Sequence, residues 1–339
     1  MIVVMKPHAT PEQIQHVIDL VREYGLKDHP IFGTDRTVIA CIGDKRAVDK
    51  GAIENAPMVE KIVPILSPYK MASREVRQEK TEIAIGPSGA TLGGQKVGVI
   101  AGPCAIESRE QLLQTARAVA EAGAIGLRGG AWKPRTSPYD FQGLQEKGLE
   151  ILAEARAETG LAIVTEVLRR ETVDQIADVA DVLQIGARNM QHYPLLEAVG
   201  KVDKPVLLKR GPSSTVDEFL LAAEYIINAG NPNVILCERG IRTFEMYVRN
   251  TLPLAIVPAL RERTHLPVLV DPSHGTGHAH MVPPMCLAAI AAGADGLLVE
   301  VHRDPEHAYT DAAQQINPHA FCAMMKRAKR VAEAIGRDM

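Results

Sequence analysis

No apolar run in this chain approaches the roughly 18 residues that a membrane-crossing helix needs. Cysteine is sparse: Cys41, Cys104, Cys237, Cys286 and Cys322 are odd in number, widely spaced and without a C-x-x-C pair, which argues against a disulfide framework. Charge of one sign is lacking too. A formal net of −3, with basic residues dispersed and no basic tail, argues against nucleic acid as a partner. The opening Met1-Ile-Val-Val-Met-Lys6 has no charged-then-apolar order of a secretion signal. The expectation is a cytoplasmic protein with no membrane partner.

The chain has two textures. Over residues 1–68, apolar strands are expected at 2–5, 38–42 and 59–66, the second of them after the turn Gly33-Thr34-Asp35. Thr10-Pro11-Glu12 opens a helix with an N-cap, an early proline and an early acid, and Ile14, Val17, Ile18 and Val21 follow at helical spacing. A second helix is expected over 46–55. The implied order βαββαβ is a small α+β, ferredoxin-like domain, with no catalytic cluster in it. Residues 69–95 read as a linker followed by a short hairpin that begins near Thr81.

From residue 96 to 339, apolar runs alternate with amphipathic helical stretches. Strands are expected at 97–101, 125–127, 162–167, 182–185, 205–208, 234–237, 267–270 and 296–299. Eight such strands with intervening helices predict an α/β domain of the closed (β/α)8 TIM-barrel type. Each expected strand runs into residues able to bind an anion, a metal or a proton: Cys104, Arg128, Glu166, Arg188, Lys209, Arg239, His274 and Glu300 among them. In such barrels the carboxyl ends of the strands form one rim, so these side chains converge.

Two sets separate within that rim. Arg128, Lys133, Arg135, Arg188, Lys209 and Arg239 carry more positive charge than a monoanion needs, which points to substrates with phosphate and carboxylate groups. The stretch Lys133-Pro134-Arg135-Thr136-Ser137-Pro138 concentrates this character, and Gly129 and Gly130 before it are expected to let a ligand approach the backbone. The second set is Cys104, His274, Glu300 and Asp311. One sulfur, one nitrogen and two carboxylates suit a borderline divalent ion such as Mn, Fe, Co or Zn better than Mg or Ca.

Gly102-Pro-Cys104, Arg128-Gly-Gly-Ala131, Lys133-Pro-Arg-Thr-Ser-Pro-Tyr139, Ile185-Gly-Ala-Arg-Asn-Met190, Leu207-Leu-Lys-Arg-Gly211, Ile235-Leu-Cys-Glu-Arg-Gly240 and Asp271-Pro-Ser-His274 resemble 3-deoxy-D-arabino-heptulosonate 7-phosphate (DAHP) synthase of type I-beta. The resemblance spans the expected barrel, and residues 1–68 are similar to the regulatory domain that some members carry. Trp132, Ala105, His192 and the histidine-rich Gly275–280 loop depart from the usual pattern, and none of these removes a charged candidate.

The resemblance implies a metal-dependent transferase. It would condense phosphoenolpyruvate with erythrose 4-phosphate and water, releasing phosphate, at the first step of the shikimate pathway. Arg128, Lys133, Arg188, Lys209 and Arg239 match positions that hold phosphoenolpyruvate, and Arg135, Thr136 and Ser137 match the aldose-phosphate site. Lys133, Glu166 and His274 are the expected catalytic groups, with Lys133 or Glu166 handling the proton of water. Tyrosine or phenylalanine as effector and a homotetrameric assembly are further implications. Two alternatives are a 3-deoxy-D-manno-octulosonate 8-phosphate synthase, whose loop reads Lys-Ala-Asn-Arg-Ser where this one reads Lys133-Pro134-Arg135-Thr136-Ser137, and a non-catalytic amino-acid sensor.

Overall fold

A computed structural model describes residues 1–33, 36–44, 46, 48–64, 67–135 and 137–339. The expected turn residues Thr34 and Asp35, Ala47 of the expected second helix, Ile65 and Leu66 of the expected strand 59–66, and the candidate ligand residue Thr136 lie outside the described residues. The chain divides into two compact units, Met1–Glu79 and Lys80–Met339.

The first unit runs β1 (Ile2–Met5), α1 (Pro11–Glu23), β2 (Lys27–Phe32), β3 (Thr37–Ile42), α2 (Lys50–Glu54) and β4 (Val59–Val63). Its antiparallel sheet has the order β2-β3-β1-β4. Thr10 and Gln13 cap α1 reciprocally: Thr10 Oγ1 accepts the Gln13 N–H, and Gln13 Oε1 accepts the Thr10 N–H at 2.9 Å. The apolar stripe of α1 is buried against Val3, Met5 and Ile39. Helix α2 is shorter than the expected 46–55. Asp49 is its N-cap, accepting the Ala52 N–H at 3.2 Å, and Arg46 instead lies outside it, paired with Asp44.

The second unit opens with a hairpin, β5 (Ile83–Ile85) and β6 (Ala90–Leu92). Eight parallel strands follow: β7 (Gly98–Gly102), β8 (Gly126–Arg128), β9 (Ala162–Glu166), β10 (Val182–Ile185), β11 (Val206–Lys209), β12 (Val234–Glu238), β13 (Val268–Val270) and β14 (Gly296–Glu300). They form a closed barrel in chain order, with β14 paired to β7 in register Glu300↔Gly102. The helices are α3 (Arg109–Glu121), α4 (Glu146–Thr159), α5 (Val173–Ala177), α6 (Tyr193–Val199), α7 (Val216–Asn228), α8 (Ile256–Arg263), α9 (Pro272–Thr276), α10 (Val282–Ala291) and α11 (Pro318–Ala334).

The hairpin belongs to the barrel. Ile83, Ile85 and Leu92 are buried in one cluster with inward-facing Ile100, Val164, Leu207 and Leu298. Gly98 and Gly296, the first residues of β7 and β14, make room for it: a Cβ on either would stand 2.6 or 3.2 Å from Leu92 Cδ2. The strand-start end of the barrel is thereby closed with apolar side chains, which leaves the opposite rim for chemistry. No helix among the described residues is long and apolar enough to cross a membrane. No disulfide joins any two of the five cysteines, all of which lie among the described residues.

Candidate active site and metal centre

The strand-end rim encloses a cavity of about 410 Å³. Arg128, Lys133, Arg135, Arg188, Lys209 and Arg239 all line it, as do Glu166, His274 and Asp311. Side-chain alternation along a strand explains which residues reach it. Lys209 at the end of β11 points in, whereas its neighbour Arg210 points away, buried and paired with Glu238 at 2.8 Å. Arg210 and Glu238, each next to a cavity-lining cation in the chain, therefore brace each other outside the cavity. Ser137 is not among the lining residues. Its hydroxyl accepts the Tyr139 N–H at 3.2 Å and shapes the loop.

Gly130 serves a different purpose from the one expected. Gly130 bridges to Ala105, its N–H donates to the Cys104 carbonyl at 3.2 Å, and a Cβ there would stand 2.8 Å from Lys133 Cδ. The room is taken by the protein's own lysine and the Cys104 loop.

Cys104, Glu300 and Asp311 each offer a ligand atom within 4.8 Å of the others. Cys104 Sγ lies 3.2 Å from Asp311 Oδ2. His274 Nε2 lies 3.6 Å from Glu300 Oε1 and 3.8 Å from Asp311 Oδ2, which puts the fourth expected donor beside the two carboxylates of that trio. The donor chemistry fits a borderline divalent ion, and the histidine is set up for it. Asp271 caps α9 by accepting the His274 N–H at 2.9 Å on Oδ1, while its Oδ2 faces His274 Nδ1 at 2.7 Å. The same Oδ2 accepts from Lys209 Nζ at 2.6 Å. With Nδ1–H donating to Asp271, the Nε2 lone pair is left facing Glu300 and Asp311.

Burial opposes every charge here, and the neighbours decide the outcome. It pushes the Cys104 thiol up to about 12, aided by Glu300 and opposed by Lys133. Burial also works against the Asp271 carboxylate, but His274 and Lys209 hold it well below its ordinary range. Asp311 is brought down to about 2 because Arg249 and His274 outweigh its burial. Glu300 is likewise lowered, by His274 and by Arg128, which donates to Oε1. Burial works against Lys133 as well, yet the Cys104 sulfur and the Glu166 carboxylate keep its ammonium favoured. Lys133 Nζ donates to the Cys104 carbonyl at 3.0 Å and lies 3.2 Å from Cys104 Sγ. Glu166 lies across the cavity beside Gly186, where a Cβ would stand 1.9 Å from Glu166 Oε1.

Several contributors carry no sequence signal of their own. Arg242 and Arg249 line the cavity from the loop after β12, and Gln314 and Gln315 contact the donor groups from the loop after β14. Asp271 is different, because it opens the stretch Asp271-Pro-Ser-His274. Its place three residues before His274, at a helix start, is the signal that marks it as the histidine's partner.

Two family models match the chain: the DAHP synthetase I family over residues 76–336 and the DAHP synthase ferredoxin-like domain over residues 1–67. Among curated relatives, phospho-2-dehydro-3-deoxyheptonate aldolase from Thermotoga maritima is 50% identical over 336 residues, 99% of each chain. A 2-dehydro-3-deoxyphosphooctonate aldolase from Koribacter versatilis is 30% identical over 274 residues, 72% of this chain and 94% of that relative. Among solved structures, a crystal structure of the Thermotoga maritima aldolase superposes with a TM-score of 0.79 at 49% identity, covering 99% of this chain and 98% of that one.

Proposed function

The chain belongs to the DAHP synthetase I family, and from that membership we propose how its residues carry out the reaction. The protein condenses phosphoenolpyruvate with erythrose 4-phosphate and water to give DAHP and phosphate. The distant octulosonate relative is not favoured, because the loop here reads Lys133-Pro134-Arg135.

Arg128, Lys133, Arg188, Lys209 and Arg239 hold phosphoenolpyruvate, and Arg135 with Thr136 holds the aldose phosphate. Guanidinium forks suit the phosphate and carboxylate oxygens of these substrates. Cys104, His274, Glu300 and Asp311 hold one divalent ion, Mn, Fe, Co or Zn, which when bound supplies Lewis-acid polarisation of the aldehyde carbonyl. C3 of phosphoenolpyruvate attacks the aldehyde carbon, forming the new C–C bond, while Lys133 delivers a proton to the developing alkoxide. Water adds to C2, and Glu166 takes its proton. The C2–O bond to phosphate then breaks as the proton left on the C2 hydroxyl passes to the departing phosphate oxygen, and C2 becomes the ketone carbon.

The observation that supports this reading most is the cluster of Cys104, Glu300 and Asp311, with His274 beside its two carboxylates, at the edge of a cation-lined cavity. Phosphate release with phosphoenolpyruvate and either erythrose 4-phosphate or arabinose 5-phosphate, assayed side by side, tests it. Turnover with the four-carbon sugar is expected, and preference for the five-carbon sugar would overturn the assignment. The N-terminal unit is proposed to bind tyrosine or phenylalanine and to restrain turnover.

A further inference from the structure

Two adjacent glutamines hold the donor groups from outside. Gln314 is 2% exposed. Its Nε2 donates to Glu300 Oε2 at 2.7 Å and lies 3.5 Å from Asp311 Oδ2, while its Oε1 accepts from Arg249 Nη1 at 2.6 Å. Arg249 Nη1 also stands 3.1 Å from Asp311 Oδ1. The amide can face only one way, because an arginine only donates and a carboxylate only accepts. Gln315 acts on the backbone: its Oε1 accepts the Cys104 N–H at 3.0 Å, and its Nε2 donates to the Thr310 carbonyl at 2.8 Å.

The local fold explains the placement. Asp311 adopts a left-handed φ of 50° and starts a 3-10 turn over Ala312–Gln314. The Gln314 N–H donates to the Asp311 carbonyl at 3.1 Å, so the turn folds Gln314 back beneath the aspartate. Asp311 accepts a conformation that is strained for most side chains, and such positions are retained where the surroundings fix them. Two carboxylates drawn to one point repel each other. A neutral amide donor reaching both of them, braced by an arginine on its outer side, offsets that repulsion without adding a charge among the donor atoms.

Glu300 then has Oε1 engaged by Arg128 and Oε2 by Gln314. We propose that Gln314, braced by Arg249, is a positioning residue for the metal centre, presetting the Glu300 and Asp311 carboxylates and setting how tightly the ion is held. This rests on the reading of Cys104, His274, Glu300 and Asp311 as the ligands.

The test uses the full-length protein with Gln314→Met, which keeps length and removes hydrogen bonding, Arg249→Met, Arg249→Lys and the double Met variant. Cobalt(II) affinity is measured by chelator competition, the cobalt–thiolate absorption is recorded, and the metal-free proteins are melted. Each single Met variant is expected to bind cobalt(II) about 10–100-fold more weakly. The double variant is expected to be no weaker than the worse single, since both act through one chain of contacts. Arg249→Lys recovers part of the loss. Arg249 is partly exposed, so its Met variant is expected to melt with the wild type, which separates lost positioning from lost folding. Affinities within about threefold of wild type in both single variants, well short of the loss that removed outer-shell partners cause, would overturn the proposal. So would a loss of affinity that tracks a loss of metal-free melting in both. If the wild type shows no cobalt–thiolate band, or Cys104→Ser keeps full affinity, the ligand assignment itself fails instead.

Discussion

Asp271 gathers three donors on two oxygens: the His274 N–H on Oδ1, and His274 Nδ1 and the Lys209 ammonium on Oδ2. Asp271→Asn keeps the shape but offers one accepting side and one donating side. If the amide oxygen takes the place of Oδ1, the NH₂ faces an ammonium and an N–H. If it takes the place of Oδ2, the helix cap is lost and a donor meets a donor. Either way Lys209, whose side chain is 5% exposed, loses its anion. Breaking one side of a buried ion pair costs about 3–5 kcal/mol. The Asn keeps part of the network, so the lower end applies. At roughly 2–4 °C per kcal/mol for a domain this large, about 3 kcal/mol lowers the melting temperature by roughly 6–12 °C. In the first orientation the NH₂ donates to Nδ1, which moves the imidazole proton to Nε2 and removes the lone pair meant for the ion. Cobalt(II) affinity is expected to fall about 10–100-fold. Melting of the metal-free protein and chelator competition read the two effects separately. A variant that melts with the wild type and binds cobalt as tightly would show that neither Lys209 nor His274 draws on Asp271.

Lys133→Met should lower kcat by about 10²–10⁴, the usual worth of a positioned proton donor, with cobalt(II) still bound; a substantial residual rate would remove Lys133 from the chemistry. Exhaustive chelation should abolish phosphate release, and Mn, Fe, Co or Zn should restore it, whereas turnover by metal-free protein would refute a Lewis-acid role for the donor quartet. Deleting residues 1–68 should leave phosphate release intact and abolish any inhibition by tyrosine or phenylalanine. Inhibition that survives the deletion would place the effector site elsewhere.

The eight barrel strands were legible because each is an apolar run buried on both faces, and the structure shifts their ends by a residue or so. The first helix was legible from its cap and stripe. Strand β2 was not located in the sequence. Lys27-Asp-His-Pro-Ile-Phe32 pairs only with β3 at the sheet edge, where no buried face imposes alternation, and Phe32 is exposed. The donor quartet and the cations could be found because they stand at strand ends in a fold whose rim is known. Arg249, Gln314 and Gln315 could not, because an amide or guanidinium bridging two distant segments acquires its role only from tertiary contacts. Ser137 shows the converse. It sits in the expected motif, yet its hydroxyl is turned to the backbone.

The hairpin of β5 and β6 makes the barrel a cup rather than a pipe. Reactants and products share one mouth, and water has no back door past Ile83, Ile85 and Leu92. A shortened chain beginning at residue 96 would pull out this stopper and wet the greasy floor beneath it, inviting precipitation. One beginning at Lys80 keeps the stopper in place, which makes that junction the natural cut for a free-standing catalytic half.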